Sequence, residues 1–430
     1  MEFLRRPLRA LLPRNSSIST SLLLLLLVYS FSSQFLPIEP YLVPYLTTVK
    51  HFTNFQVTVD IFPFSVYAQL IFTLLMAPAC LYLSHKVVIV LGALGILITY
   101  FIVWMGESLL SMQFMQITYG FGTATRLAFS SYIFLLAPEE EYQAMTSLTT
   151  TTSLLSFMFA SELSQLLALE RVPYITFFIL TLISLGVCCN MALLLPKDHS
   201  SSLLFSSVAN CSKCHEGWVR TLKETWHGKE LQFLSLWWAV AYAGFSLVQN
   251  YGTSLFDAID SNSKLNGHIL AVSQAAGSLG AFCAVYLESF ANQSGMIIYV
   301  IGLGSMAILC IFMGISARIW LAYLIYVIIS GIYQTLACLL NVRCGRLLSN
   351  KQFILLFSIN NFAGLLLETI LQAVLEISRL SVFAQFTVFG GFFSLATMAF
   401  ILLCFLGGET RTSSIELESE PEPLLSECTD

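Results

Sequence analysis

Three ionisable side chains lie inside long apolar runs of the sequence, where a charge is costly. Arg126 stands in YGFGTATRLAFSSYIF, Glu368 in NNFAGLLLETILQAV, and Glu39 between two prolines in LPIEPYL. Placing such a group at membrane depth costs about 2.5–3.5 kcal/mol on insertion scales, so each is expected to have a partner or a purpose. A guanidinium is suited to bidentate binding of a carboxylate. Arg126 therefore predicts a site for an anionic solute.

The surroundings of Arg126 support this interpretation. Helical spacing places hydroxyl, aromatic and aliphatic side chains on its face, namely Tyr119, Thr123, Phe129, Ser130 and Ile133. Such a mixture is expected against a water-filled cavity and unusual against lipid. The alternative is an internal ion pair of Arg126 with Glu39 or Glu368 that holds the helices together. Both interpretations hold if the pair exchanges during transport.

The two carboxylates are more ambiguous. Either Glu39 or Glu368 could carry a proton in a coupled cycle, or contact a cationic or amino-bearing ring of a solute. For Glu368, structural pairing is an equally good interpretation. For Glu39, the flanking Pro37 and Pro40 favour a distorted helix that lines a cavity.

Neutral polar residues in the apolar runs give weaker candidates. Asn250, Tyr251, Asn266 and Tyr333 could contact a solute, although hydrogen bonding between helices is the simpler interpretation. The segment CSKCH at 211–215 matches a haem-attachment motif, but its predicted place in a cytosolic linker favours a solvated loop. We therefore expect no cofactor, no resident metal and no enzyme activity.

Composition indicates the elements that position these groups. The chain has 430 residues, of which 57% are hydrophobic and 10% charged, whereas soluble domains carry roughly a quarter charged residues. Apolar residues form uninterrupted blocks, and about 20 of them cross the roughly 30 Å hydrocarbon core as a helix. The sequence therefore predicts an all-α membrane protein with twelve spans. These cover residues 21–48, 57–84, 87–106, 109–137, 145–169, 172–196, 231–257, 266–290, 296–315, 317–345, 352–377 and 381–407.

The polar segments define the organisation. A cytosolic N-terminus (1–20) precedes a six-helix bundle (21–196), a cytosolic linker (197–230) and a second six-helix bundle (231–407). An acidic, disordered cytosolic tail follows from 408 to 430. Lys and Arg concentrate on the side of the N-terminus, which predicts that both termini are cytosolic. A net charge of −5 without a basic stripe argues against nucleic-acid binding.

Six spans, a linker and six spans resemble the layout of major facilitator transporters, whose solute site lies between two halves near the midplane. From about Phe35 to Leu406 the chain also resembles the reduced folate and thiamine carriers. The matching motifs are EPYLVPYL, YGFGTATRLAFSSYIF, WWAVAYAGFSLVQNY, GIYQ and FSINNF. The resemblance implies vitamin uptake by alternating access.

The resemblance also bears on the solute. Folate carriers look like A-R-I-A-Y-S-S-Y-I-F around position 126, whereas thiamine carriers have an acid there; this chain reads TRLAFSSYIF. By similarity, Arg126 would face folate carboxylates and Glu39 would match the acid of span 1. The chain departs from the folate pattern at Ser330 and Glu368, where folate carriers are basic, and at Leu81, where an acid is usual.

The resulting expectation is a plasma-membrane carrier for reduced folate or a related organic anion. Arg126 anchors the carboxylate, Glu39 and Asn266 orient the ring, and Glu368 carries a proton or pairs with a charge. Further contacts come from Phe129, Ser130, Tyr251 and Tyr333. A proton or counter-anion would be the coupling species. The alternatives are a thiamine carrier, with Arg126 bound to acids, and a non-transporting solute sensor.

Overall fold

The computed structural model describes residues 18–53, 55–197, 223, 225–226, 228–260, 265–348 and 352–418. The side chains of Thr58, Val59, Asn266 and residues 406–418 are outside this description. Most of the predicted linker, including the CSKCH segment, also lies outside it. Helices make up the described secondary structure.

Helical segments make up the described secondary structure of the first half of the chain, within residues 20–194. They are α1 (Thr20–Gln34), a 3-10 turn (Glu39–Tyr41), α2 (Leu42–Thr48), a π-helical turn (Gln56–Ile61), α3 (Pro63–Leu83), α4 (His85–Met105), α5 (Leu109–Ala124), α6 (Arg126–Leu136), α7 (Tyr142–Leu169) and α8 (Tyr174–Leu194). A further 3-10 turn, Glu139–Glu141, leads into α7.

The second half holds six long helices. They are α9 (Lys229–Ile259), α10 (Asn266–Ser294), α11 (Ile297–Ile315), α12 (Ile319–Leu347), α13 (Phe353–Ser378) and α14 (Val382–Glu418). Below, N-half means residues 20–194 and C-half means residues 229–418.

The described helices confirm the prediction of twelve spans. Eleven are long and apolar enough to cross a membrane, counting α1 and α2 as one span from Thr20 to Thr48. The twelfth crossing is split into α5, of 16 residues, and α6, of 11 residues. Large apolar side chains such as Leu110, Ile183 and Ile377 are exposed. Lipid is the solvent in which such exposure costs nothing, and helices satisfy their own backbone groups there.

The structure corrects one boundary. Helix α14 continues to Glu418, into the tail that was predicted to be disordered from residue 408. Once a helix has formed, each added residue fixes little more chain per hydrogen bond, so a polar sequence can extend an apolar helix. Residues 419–430 lie outside the described chain.

The two halves touch along two seams, α7 against α10 and α3 against α13. On the first seam, the hydroxyl of Thr151 donates to the carbonyl of Ser278 at 3.3 Å and that of Ser278 donates to the carbonyl of Thr151 at 3.2 Å. Glu162 and His268 also meet across it at 3.0 Å. Small polar residues allow two membrane helices to approach closely. The space between the seams is where the functional candidates lie.

Candidate functional site

Arg126 lies at the point where span 4 changes from α5 to α6. Thr125 separates the two helices, and its hydroxyl donates to the carbonyl of Gly122 at 2.6 Å. Thr125 packs so tightly on α4 that a Cβ at Gly92 would lie 1.8 Å from its Oγ1. A hydroxyl bonded back to its own helix commonly bends that helix. The local sequence thus places Arg126, half-buried, at a helix start in the middle of a span.

A neutral amide holds the guanidinium of Arg126. In the amide orientation that satisfies both groups, the side-chain oxygen of Gln34 accepts from the two terminal nitrogens of Arg126 at 2.8 and 3.1 Å. Gln34 is the last residue of α1 and was not among the predicted site residues. The ion pairs formed by described residues lie elsewhere, on Glu162, Glu230 and Glu288. Among the described residues, the guanidinium therefore has no ion-pair partner within 4.0 Å.

Glu39 lies in the same region on the 3-10 turn that interrupts span 1. Its Oε1 accepts a hydrogen bond from the Tyr119 hydroxyl at 3.1 Å. Arg126 acts on the Glu39 carboxylate electrostatically, although they form no ion pair shorter than 4.0 Å among the described contacts. The structure thus brings Glu39, Tyr119 and Arg126 together from α5, α6 and the interrupted first span.

Phe129 and Ser130 continue the face of α6 beyond Arg126. The Phe129 ring lies 4.5 Å from that of Tyr29 on α1, so it packs within the N-half. Ser130 is exposed and its hydroxyl donates to the carbonyl of Arg126 at 3.1 Å. It also lines a cavity of about 80 Å³ between the halves, with Trp238, Asn341 and Phe357 on the opposite wall.

The C-half contributes a second polar cluster, centred on Glu368 of α13. Its Oε1 accepts a hydrogen bond from the Asn250 amide at 3.0 Å, and Ser246 lies close enough to interact with the same carboxylate. Both partners lie on α9. Tyr242 and Tyr333 are close enough to interact electrostatically with Glu368.

Tyr333 forms the aromatic base of this cluster. It is buried, and its ring stacks on Phe245 at a centroid distance of 3.9 Å and an interplanar angle of 10°. Tyr333 therefore packs on Phe245 within the C-half and lies within electrostatic range of Glu368.

Tyr242 relates the two clusters to each other. This C-half side chain interacts electrostatically with Glu368 and with Arg126 of the N-half. Tyr242 also packs on α13, because a Cβ at Gly364 would lie 2.8 Å from its ring. A basic side chain of the N-half and an acidic side chain of the C-half thus lie within electrostatic range of the same tyrosine.

Tyr251 packs away from this space. The Tyr251 ring lies 6.0 Å from that of Phe389 on α14, within the C-half core. Consecutive helical residues point about 100° apart, so Tyr251 faces away from the direction of Asn250. The backbone of Asn266 begins α10, and its side chain lies outside the described part of the structure.

Aromatic side chains close the space at the end of α6. The Phe134 ring lies 5.3 Å from Phe353, 5.5 Å from Phe357 and 4.7 Å from Tyr142. A Cβ at Gly345 of α12 would lie 2.6 Å from the same ring. The halves are therefore sealed against each other on this side of the clusters.

A known protein family and individual transporters are similar to this chain over most of its length. The family model described as reduced folate carrier matches residues 19–216 and 205–388. Human thiamine transporter 2 is 27% identical over 88% of this chain and 88% of its own length. The rat reduced folate transporter is 29% identical over 88% of this chain and 80% of its own length.

Solved structures support the fold. The transporter FucP in its outward conformation superposes with a TM-score of 0.66 at 15% identity, over 89% of this chain and 98% of that chain. FucP belongs to the major facilitator superfamily, in which two helical halves enclose the solute site. The chain is thus a multi-pass membrane protein of the major facilitator fold, and it belongs to the reduced folate carrier family.

Proposed function

We propose that this protein carries a vitamin of the folate type across a membrane, with the anionic end of the solute bound by Arg126. The observation that carries this proposal is the state of the guanidinium: it is half-buried in mid-span and held by the neutral Gln34 amide. An unpaired charge at this depth is costly. A carboxylate entering the space would offset that cost by bidentate pairing.

The proposed cycle is alternating access. With the Phe134 cluster closed, the solute enters from the opposite side and reaches Arg126 and Glu39. The halves then rock about the α7–α10 and α3–α13 seams, and the aromatic cluster separates. We place both termini and the Phe134 cluster on the cytosolic side of the plasma membrane. A proton or counter-anion would drive the cycle, with Glu39 and Glu368 as candidate proton carriers.

Thiamine is the second candidate solute. Two carboxylates and one guanidinium lie in the region of the two clusters, and a cationic vitamin would be attracted to the acids. The similarity to human thiamine transporter 2 supports this alternative. A sensor that binds the vitamin without moving it would use the same groups.

Uptake of radiolabelled folate and thiamine by cells expressing Arg126 variants tests the proposal. Hydrogen bonds to charged groups contribute about 1.5–3 kcal/mol, so Arg126→Gln should lower folate uptake about 10- to 100-fold. Arg126→Lys keeps the charge without the planar fork and should fall between. The matched control is Arg318→Gln, since Arg318 lies at the start of α12, away from both clusters.

The outcomes separate the candidates. If Arg126→Gln takes up folate as fast as the parent protein, Arg126 does not bind the anionic end of the solute. Thiamine uptake that is the same in the parent and in Arg126→Gln would favour the thiamine alternative. Binding in detergent without flux in proteoliposomes would establish a sensor. Surface labelling of each variant confirms that equal amounts of protein are compared.

A further inference from the structure

The geometry points to a solute of two-ended charge: an anionic group at Arg126 and a protonated, nitrogen-containing ring at Glu368. We infer that Glu368, with Asn250 and Ser246, is a receptor for the basic ring. This inference rests on the proposed function, because it concerns the other end of the same solute.

The first support is the structure of the C-half cluster itself. The Asn250 amide donates to Oε1 of Glu368 at 3.0 Å, and Ser246 lies close enough to interact with the same carboxylate. Both are neutral groups on α9, one helical turn apart. They orient the carboxylate without forming an ion pair with it. Asn250 is exposed and Glu368 is half-buried, so a solute in the space can reach the pair.

The second support is that two arginines of α12 are engaged with partners other than Glu368. Arg343 donates from Nε to Glu230 at 2.6 Å and from a terminal nitrogen to the carbonyl of Gly295 at 3.0 Å. Arg346 pairs with Glu288. Within the described chain, neither arginine is available to Glu368. A carboxylate at this depth without a cation calls for one from the solute.

The third support is the position of the two charges. Arg126 on α6 of the N-half and Glu368 on α13 of the C-half both lie within electrostatic range of the Tyr242 side chain. A solute that carries both signs would neutralise both and connect the halves. A solute with two anionic ends would instead place a carboxylate near Glu368, which like-charge repulsion opposes.

The geometry also limits the chemistry of the ring. A carboxylate pairs with two parallel N–H donors, and a protonated ring nitrogen beside an exocyclic amino group presents them in this arrangement. The expected ring is therefore an amino-substituted, protonated N-heterocycle.

A matched pair of pteridine glutamates tests the inference. The 4-amino compound has a basic ring and the 4-oxo compound a ring that stays neutral, while their two carboxylates are the same. The experiment measures uptake and competition binding of both by the full-length protein, by Glu368→Gln and by Glu376→Gln. Glu376 is exposed two turns further along α13, which makes it the control for loss of an acid on this helix.

The parent protein should prefer the 4-amino compound by about tenfold or more. Glu368→Gln should abolish the preference through weaker uptake of the 4-amino compound, and Glu376→Gln should retain it. Equal affinity of the parent for both compounds, or a preference that survives Glu368→Gln, would overturn the inference and leave the proposed function standing. If the parent transports neither compound, the inference and the folate-type function are both wrong. The parent measurement needs no variant, so it decides the matter even where Glu368→Gln does not fold.

Discussion

Arg126 combines two properties that rarely occur together, a fixed position and an unneutralised charge. Gln34 accepts from its two terminal nitrogens, which orients the guanidinium plane. An amide oxygen is a neutral acceptor, and the guanidinium has five N–H donors in all. Donors therefore remain for a solute, and the charge that attracts the solute is undiminished.

Sequence reasoning found the charged members of the site and some neutral ones, such as Ser130 and Asn250, but missed Gln34 and Tyr242. Arg126, Glu39 and Glu368 were predicted because a charge in an apolar run is costly wherever the fold places it. Gln34 and Tyr242 became recognisable only when α1 and α9 were positioned. Neutral polar side chains are common in membrane helices and usually bond a neighbouring helix, so their presence alone does not indicate a site.

Tyr119→Phe tests whether the hydrogen bond from Tyr119 to Glu39 helps Glu39 to position the solute. The change removes the hydroxyl that donates to Glu39 at 3.1 Å and keeps the ring. A hydrogen bond of this kind contributes about 1 kcal/mol, so the KM for uptake should rise several-fold with little loss of maximal rate. Concentration-dependent uptake measures both constants.

Tyr67→Phe serves as the control for Tyr119→Phe. Tyr67 is an exposed side chain of α3, so loss of its hydroxyl should leave the KM nearly unchanged. An unchanged KM for Tyr119→Phe would mean that the bond to Glu39 does not position the solute.

The helices themselves were predictable to within a few residues, because bilayer thickness determines their length. The break of span 4 at Thr125 was not. It depends on the close packing of Thr125 against Gly92, which lies on a different helix and far away in the sequence. The apolar content of a segment gives no information about such a contact. The prolines of span 1 did indicate its interruption, which the 3-10 turn at Glu39–Tyr41 shows.

Close helix packing behind Arg126 gives a prediction at the scale of elements. A Cβ at Gly120 of α5 would lie 2.7 Å from the carbonyl oxygen of Ser65 and 2.9 Å from the amide nitrogen of Gln69 on α3. Backbone atoms cannot move aside cheaply, so Gly120→Ala should destabilise the protein by about 1–3 kcal/mol. Thermal unfolding in detergent should show a lower Tm.

Gly186→Ala is the matched control for that experiment. Gly186 lies within α8, and a Cβ there would meet nothing within 4 Å. Its Tm should stay the same or rise slightly, since alanine restricts the unfolded chain more than glycine does. Equal effects of the two substitutions would contradict the close approach of α5 and α3.

Among the described residues, the two halves close on each other at the end of α6, where Phe134 packs on Phe353 and Phe357. Because alternating access requires this closure to be reversible, its strength should set the balance between the two orientations. Phe134→Ala removes the ring that joins the halves and leaves a cavity. It should favour the conformation that opens at the end of α6.

Cysteine reactivity measures this shift. A cysteine introduced at Ser130 should react faster with a thiol reagent added from the α6 end when Phe134→Ala is also present. Phe159→Ala is the control, because Phe159 is an exposed side chain of α7. Equal acceleration by both changes would show that the Phe134 cluster is not the closure.

The central claim is that the face of α6 around Arg126 borders a water-filled passage that a vitamin enters. The same Ser130→Cys variant tests it directly with a membrane-impermeant thiol reagent applied to intact cells. Ile183→Cys, exposed in the middle of α8, is the lipid-facing control. The cysteine at 130 should react, folate should slow that reaction, and the cysteine at 183 should stay unmodified. A cysteine at 130 that remains unmodified, or that reacts at the same rate with folate or thiamine present, would contradict the claim.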